Sequence, residues 1–119
     1  MTEEALMQLW NTYSDAWSEK SAEKRGQMLA ASLAQDVAFT SPDVDDRGVD
    51  QLEATMVAFQ AEYVGYYFRT NMLRHQHGQL LIAWTLFDAQ DAPLLLGNSY
   101  ARLDEERGKI VRLAGFWKR

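Results

Sequence analysis

The chain has no cysteine among its 119 residues. Disulfides, a thiolate nucleophile and a thiolate-ligated metal are therefore excluded. Proline is scarce, with only Pro42 and Pro93, and histidine is limited to His75 and His77. No apolar run approaches the roughly 18 residues that would span a bilayer. There is no basic excess: 12 Lys and Arg stand against 17 Asp and Glu, a net charge of −5. Nucleic acid and anionic membrane surfaces both select a basic face, so neither is an expected partner. The opening "MTEEALMQLW" lacks the basic start and apolar stretch of a secretory signal, and a cytoplasmic location is the expectation.

What is present suits one globular domain over residues 1–119. Hydrophobic residues make up 47% of the chain, including four Trp, five Tyr and five Phe. Rings in that number fill cores, and they also line pockets and interfaces.

Thr2 is placed to cap a first helix, with Glu3 and Glu4 in its favourable first turn. Leu6, Leu9, Trp10, Tyr13 and Trp17 recur on it at helical spacing. Ser21 caps a second helix, whose apolar face is Met28, Leu29 and Leu33 and whose weak point is Gly26. "VAFTS" (37–41) reads as a short strand ended by Pro42. Gly48 opens a third helix with Val49, Leu52, Met56, Phe59 and Tyr63 on its buried stripe, and Gly65 ends it.

After Gly65 the apolar period changes to two. Four strands are expected, at 66–75, 79–88, 94–103 and 109–118, joined by "QHG", "AQDAP" and "DEERG". Helices first and long antiparallel strands afterwards imply an α+β fold, with the helices on one face of a bent sheet.

Strand parity sorts the side chains. Leu95, Gly97, Ser99, Ala101 and Leu103 share one face, as do Leu80, Ile82, Trp84 and Leu86 on the strand before, and Val111, Leu113, Gly115 and Trp117 on the last strand. Small residues among large rings predict either a close approach of a neighbour or a cavity. The opposite face carries Leu81, Ala83, Phe87, Leu94, Leu96 and Tyr100. That is too apolar for an open sheet face, so a second copy of the chain, forming a homodimer, is expected to cover it.

The order of "YSDAW", "AQDVAFTSP....RG", "QHGQLLIAW" and "GNSYARLDEERGKIVRLAGFW" resembles the nuclear-transport-factor-2-like superfamily, in particular bacterial SnoaL-like proteins of the polyketide cyclase type. The resemblance covers nearly the whole chain. It implies a cone: a curved, mostly antiparallel sheet wrapped around three N-terminal helices, with a pocket at the wide end and pairing through the sheets. The superfamily holds isomerases, epoxide hydrolases, cyclases, dehydratases and non-enzymatic binding modules, so fold does not give reaction.

The ketosteroid isomerases of that superfamily need a base before the strand-ending proline, a tyrosine on the first helix and an acid on the penultimate strand. Tyr13 matches the tyrosine, but Ser41 and Ser99 stand where the two carboxylates belong. A serine without an adjacent base does not take a proton from carbon at neutral pH, and steroid isomerisation is rejected. Arg69 and Arg102 lack the flanking inward carboxylates of an epoxide hydrolase.

The candidates that remain are a hydrogen-bond donor at Tyr13 and a base at Asp43, both catalytic in role. Trp17, Phe39, Ser41, Met56, Phe59, Tyr63, Phe68, Trp84, Ser99 and Trp117 are the candidate ligand-binding residues. Core packing competes for every ring in that set. Asp45 and Asp46 read as turn residues. His75 and His77 alternate on one strand face without a third ligand, so neither a metal nor a cofactor is expected. The expected ligand is a small, largely apolar molecule. Two readings stay open: an enzyme of isomerase, cyclase or hydrolase type, and a binding or dimeric interaction module without catalytic carboxylates.

Overall fold

The computed structural model describes residues 1–118. Three helices, α1 (Glu3–Ala16), α2 (Ala22–Ser32) and α3 (Val49–Glu62), combine with six strands: β1 (Leu33–Thr40), β2 (Asp45–Arg47), β3 (Tyr67–Gln76), β4 (Gln79–Phe87), β5 (Pro93–Asp104) and β6 (Lys109–Trp117). The strands form one sheet in the order β2-β1-β6-β5-β4-β3. Only β1 and β6 run parallel. The fold is α+β, as expected.

Local chemistry starts the helices where the sequence indicates. Thr2 Oγ1 accepts from the Ala5 amide at 3.1 Å, and Ser21 Oγ accepts from the Lys24 amide at 3.2 Å. Each satisfies a donor that the first helical turn leaves open. Gly48 precedes α3 at φ +86°, a conformation that a side chain disfavours. His77 and Gly78 turn β3 into β4, both at positive φ, as a two-residue hairpin of primed type requires.

Two boundaries differ from the sequence reading. Strand β1 begins at Leu33, four residues earlier than the apolar run suggested, and Leu33 itself is the extended C-cap of α2. The stretch after Pro42 is more than a turn: Asp45–Arg47 pairs antiparallel with Ala38–Thr40. A three-residue acidic edge strand carries too little hydrophobic pattern to be visible in sequence.

Bulges curve the sheet. Register slips between Thr70 and Met72 on β3, between Leu86 and Phe87 where β4 meets β5, and between Arg102 and Leu103 where β5 meets β6. Each adds one residue to one strand, which bends it and strengthens its twist. The last slip makes Val111 the extra residue on β6, since Arg102 pairs with Arg112 and Leu103 with Ile110. Parity therefore reverses there, and Ile110, not Val111, is fully buried with Leu113.

The core lies between the helices and the concave sheet face. Leu29, Leu52, Met56, Leu80, Ile82, Ile110 and Leu113 are almost wholly excluded from water. Met56 belongs to this dense layer, which corrects its assignment as a ligand contact. Polar clamps fix the helices to one another. Gln60 Nε2 donates to the carbonyls of Trp17 and Glu19, each at 3.0 Å, tying α3 to the end of α1. Arg25, buried, reaches Glu53 at 3.0 Å and the Glu19 carbonyl at 2.9 Å.

Candidate functional site

A cavity of about 680 Å³ lies beside the end of α1, bordered there by Tyr13, Ser14 and Trp17. That volume suits a small organic ligand. The sequence-predicted site residues all border it except Met56.

Rings build the walls. Trp17 sits at the centre, with ring centroids 5.7 Å from Phe39, 5.6 Å from Phe59 and 6.1 Å from Phe68. Phe68 meets Trp84 edge to face at 5.2 Å, and Trp84 continues to Trp117 at 6.0 Å. Tilted and edge-on contacts of this kind are favourable for aromatic quadrupoles. They also fix the rings in place, so the cavity is framed rather than filled.

The small residues of the sheet divide between the two roles that sequence left open. Gly97 is paired with Trp84, and a Cβ there would collide with the six-membered ring of that indole. Ala101 is fully buried and does not border the cavity. These two serve close packing. Gly115 and Ser99 border the hollow, and a Cβ at Gly115 would also meet the Trp117 ring at 3.0 Å. Ser99 Oγ accepts from Trp84 Nε1 at 3.0 Å, so the ring that covers Gly97 is held by its neighbour two residues on.

The buried end of the cavity carries polar groups but no charge. Trp10, Tyr13, Ser14, Phe39, Trp84, Ser99 and Gly115 border it while being almost excluded from solvent. None is a carboxylate, amine or imidazole. Tyr13 accepts a hydrogen bond from Trp17 Nε1 at 3.0 Å, which leaves its own proton to donate. Burial pushes the Tyr13 phenol well above its ordinary range, against the lowering effect of that hydrogen bond, so it stays protonated at any physiological pH.

Charge appears only at the exposed rim, in Asp43 and Glu62. These two carboxylates, with the Glu62 charge the larger influence, push the neighbouring Tyr63 phenol upward. Ser41, also at the rim, is engaged in its own turn: its Oγ accepts from the amides of Asp43 at 3.2 Å and Val44 at 3.3 Å. Asp45 pairs with Arg47 at 3.2 Å, and Asp46 accepts from Thr55 Oγ1 at 2.6 Å. Of the acidic stretch, Asp43 alone borders the cavity.

Trp10, Glu62, Tyr66 and Leu95 border the cavity and were not singled out from sequence. The signal for Trp10 was present, because it shares a helical stripe with Tyr13 and Trp17, but the same spacing also reads as core. His75 and His77 are exposed at the β3–β4 hairpin, and no group of three metal-ligating side chains occurs among the described residues. No helix among them is long and apolar enough to cross a membrane.

No family model and no curated protein matches the sequence. Solved structures do resemble the fold. A candidate isomerase of the SnoaL-like family from Agrobacterium tumefaciens superposes with a TM-score of 0.88 at 20% identity, over 98% of this chain and 99% of that one. A candidate polyketide cyclase from Sinorhizobium meliloti gives a TM-score of 0.74 at 17% identity, over 97% and 99%. A de novo designed protein with a curved β-sheet gives 0.75 at 12% identity, over 99% and 88%. The chain thus has the nuclear-transport-factor-2-like fold, in the form shown by SnoaL-like proteins. A fold does not by itself assign a reaction.

Proposed function

We propose that the protein binds a small, largely apolar molecule in the aromatic cavity, as a SnoaL-like binding protein without acid–base chemistry at its buried end. The carrying observation is the composition of that end: rings and neutral hydrogen-bonding groups, with no side chain able to take a proton near neutral pH. A general base must lie within reach of the proton it removes, and both carboxylates are at the rim.

A thermal-shift screen of aromatic and alicyclic compounds tests the reading. At ten times its Kd a ligand adds about 1.4 kcal/mol, or roughly 4–8 °C in Tm for a chain of this size. Ala58→Trp, at the exposed mouth, should abolish the shift. A library that moves neither protein would refute the proposal.

One observation favours the second reading, an enzyme: Asp43 borders the same cavity as Tyr13. On that reading Tyr13 donates to the substrate and Asp43 removes a proton at the mouth. Asp43→Asn should then abolish turnover of any ligand found by the screen while leaving its Kd unchanged. Equal turnover would eliminate Asp43 as base.

The convex sheet face supports a homodimer. Leu81, Leu96 and Phe116 stand 49%, 73% and 59% exposed on adjacent strands, and Phe116 extends the apolar patch beyond what parity had assigned. A second copy of the same face would bury it symmetrically.

A further inference from the structure

A second cavity, of about 420 Å³, lies where α3 turns into β3. Tyr63 and Tyr66, with ring centroids 5.3 Å apart, border it and the larger aromatic cavity alike. The two hollows are therefore neighbours that share these side chains. Tyr63 is 40% exposed, so its ring is not locked into a packed core. Val64, Gly65 and Tyr67 border the second cavity alone, with Ser18 and Lys20 from the chain just after α1 and Gln60 from α3. Three of the polar groups here are already engaged. The Tyr67 hydroxyl donates to Asp91 at 2.6 Å, the Ser18 hydroxyl to the Asp15 carbonyl at 3.3 Å, and the Gln60 amide to the carbonyls of Trp17 and Glu19. Lys20 differs. Its exposed side chain forms no ion pair or hydrogen bond among the described residues, and it is the one cation bordering either cavity.

We propose that the two cavities form one bipartite site for an elongated amphiphile, with a flat apolar body among the rings of the larger cavity and a carboxylate-bearing tail that passes Tyr63 and Tyr66 to reach Lys20. The inference rests on the larger cavity being a ligand site, and it adds what the ligand carries at its far end. Charge sets the orientation. Asp43 and Glu62 stand at the rim of the larger cavity and no cation borders it, so an anionic group is unfavourable there. Lys20 offers the opposite sign one cavity away. The shared tyrosine rings supply apolar surface to the tail between those two places. An exposed lysine is screened by water, so its contribution is a preference for an acidic tail, with most of the affinity left to the rings.

The test uses three probes, naphthyloxyhexanoate, its neutral primary amide and the short-tailed naphthyloxyacetate, each titrated into the full chain by calorimetry and in 15N correlation spectra. At low salt the long acid should bind about two- to fivefold more tightly than its amide, the worth of one exposed charge pair. It should also move the backbone cross-peaks of Val64 and Gly65, which border only the second cavity, and the short acid should leave them in place. Lys20→Met should erase the preference for acid over amide. Lys24→Met, which removes another exposed charge that borders neither cavity, should not. The bipartite site is refuted if long acid and amide bind alike, if the preference outlasts Lys20→Met or is lost equally with Lys24→Met, or if Val64 and Gly65 do not respond. The aromatic-cavity reading survives each of these results so long as the probes move the indole cross-peaks of Trp84 and Trp117. If no probe binds, that reading falls for ligands of this class, and the bipartite site with it.

Discussion

Gly97→Ala adds a single methyl group, and the structure assigns it a large cost. The new Cβ collides with atoms of the six-membered ring of Trp84, which is the cross-strand partner of Gly97. Several contacts oppose its retreat, although the ring also borders the cavity. Phe68 stands against it at 5.2 Å, Trp117 at 6.0 Å, and Ser99 holds its Nε1 at 3.0 Å. Overpacking of this kind costs about 1–3 kcal/mol. Displacing the ring also breaks the buried Trp84–Ser99 hydrogen bond, worth about 1 kcal/mol. The sum, about 2–4 kcal/mol, corresponds to a fall in Tm of roughly 6–15 °C for a domain of this length.

Circular-dichroism melts and urea titration measure the loss. A Trp84→Leu background supplies the decisive comparison, because it removes the colliding atoms. Gly97→Ala should cost at least about 1 kcal/mol less there than in the wild type, a coupling that only direct contact produces. If Gly97→Ala melts within about 2 °C of wild type, or costs the same in both backgrounds, then Gly97 is not the seat of Trp84 and this account of the sheet's small residues is wrong.

The opposite sign is expected at Gly26, inside α2, where an added Cβ meets nothing within 4 Å. Gly26→Ala should raise stability by about 0.5–1 kcal/mol, and a loss in urea titration would show an unseen constraint. Tyr13 gives a pH prediction. Its folded-state value is raised above the ordinary 10.0, so the stability it carries is complete below about pH 10 and drains as pH rises through the folded value. Tyr13→Phe should therefore flatten the fall of Tm at alkaline pH. An unchanged slope would assign that fall to other groups. Leu96→Lys, on the 73%-exposed position of the convex face, should convert a dimer into a 13.6 kDa monomer in light scattering. A monomeric wild-type protein would refute the pairing itself.

Much of the architecture was legible from local rules. Thr2 and Ser21 cap the helices because they offer side-chain acceptors to free amides. The strands after Gly65 follow from period-two alternation and from turn residues able to take positive φ. Parity placed Ser99 inward and Leu96 outward correctly, since β5 has no bulge between them. It failed at Val111, where a bulge added a residue and reversed the alternation. A bulge without glycine or proline leaves no local mark.

The sequence by itself determined the three helices, five of the six strands and most of their apolar faces, because those properties depend on neighbours within a turn or two of chain. The tertiary structure alone decided how the apolar faces are used. Met56 and Phe59 share one stripe of α3, yet Met56 is sealed in the core and Phe59 lines the hollow. Gly97 and Gly115 both lie against an indole, Trp84 and Trp117 respectively, yet only Gly115 also borders the hollow. Trp10 looks like any core ring until the surrounding elements leave its nitrogen without a partner. Each outcome depends on side chains that meet across strands and helices far apart in the chain, and spacing along the chain carries no record of such meetings.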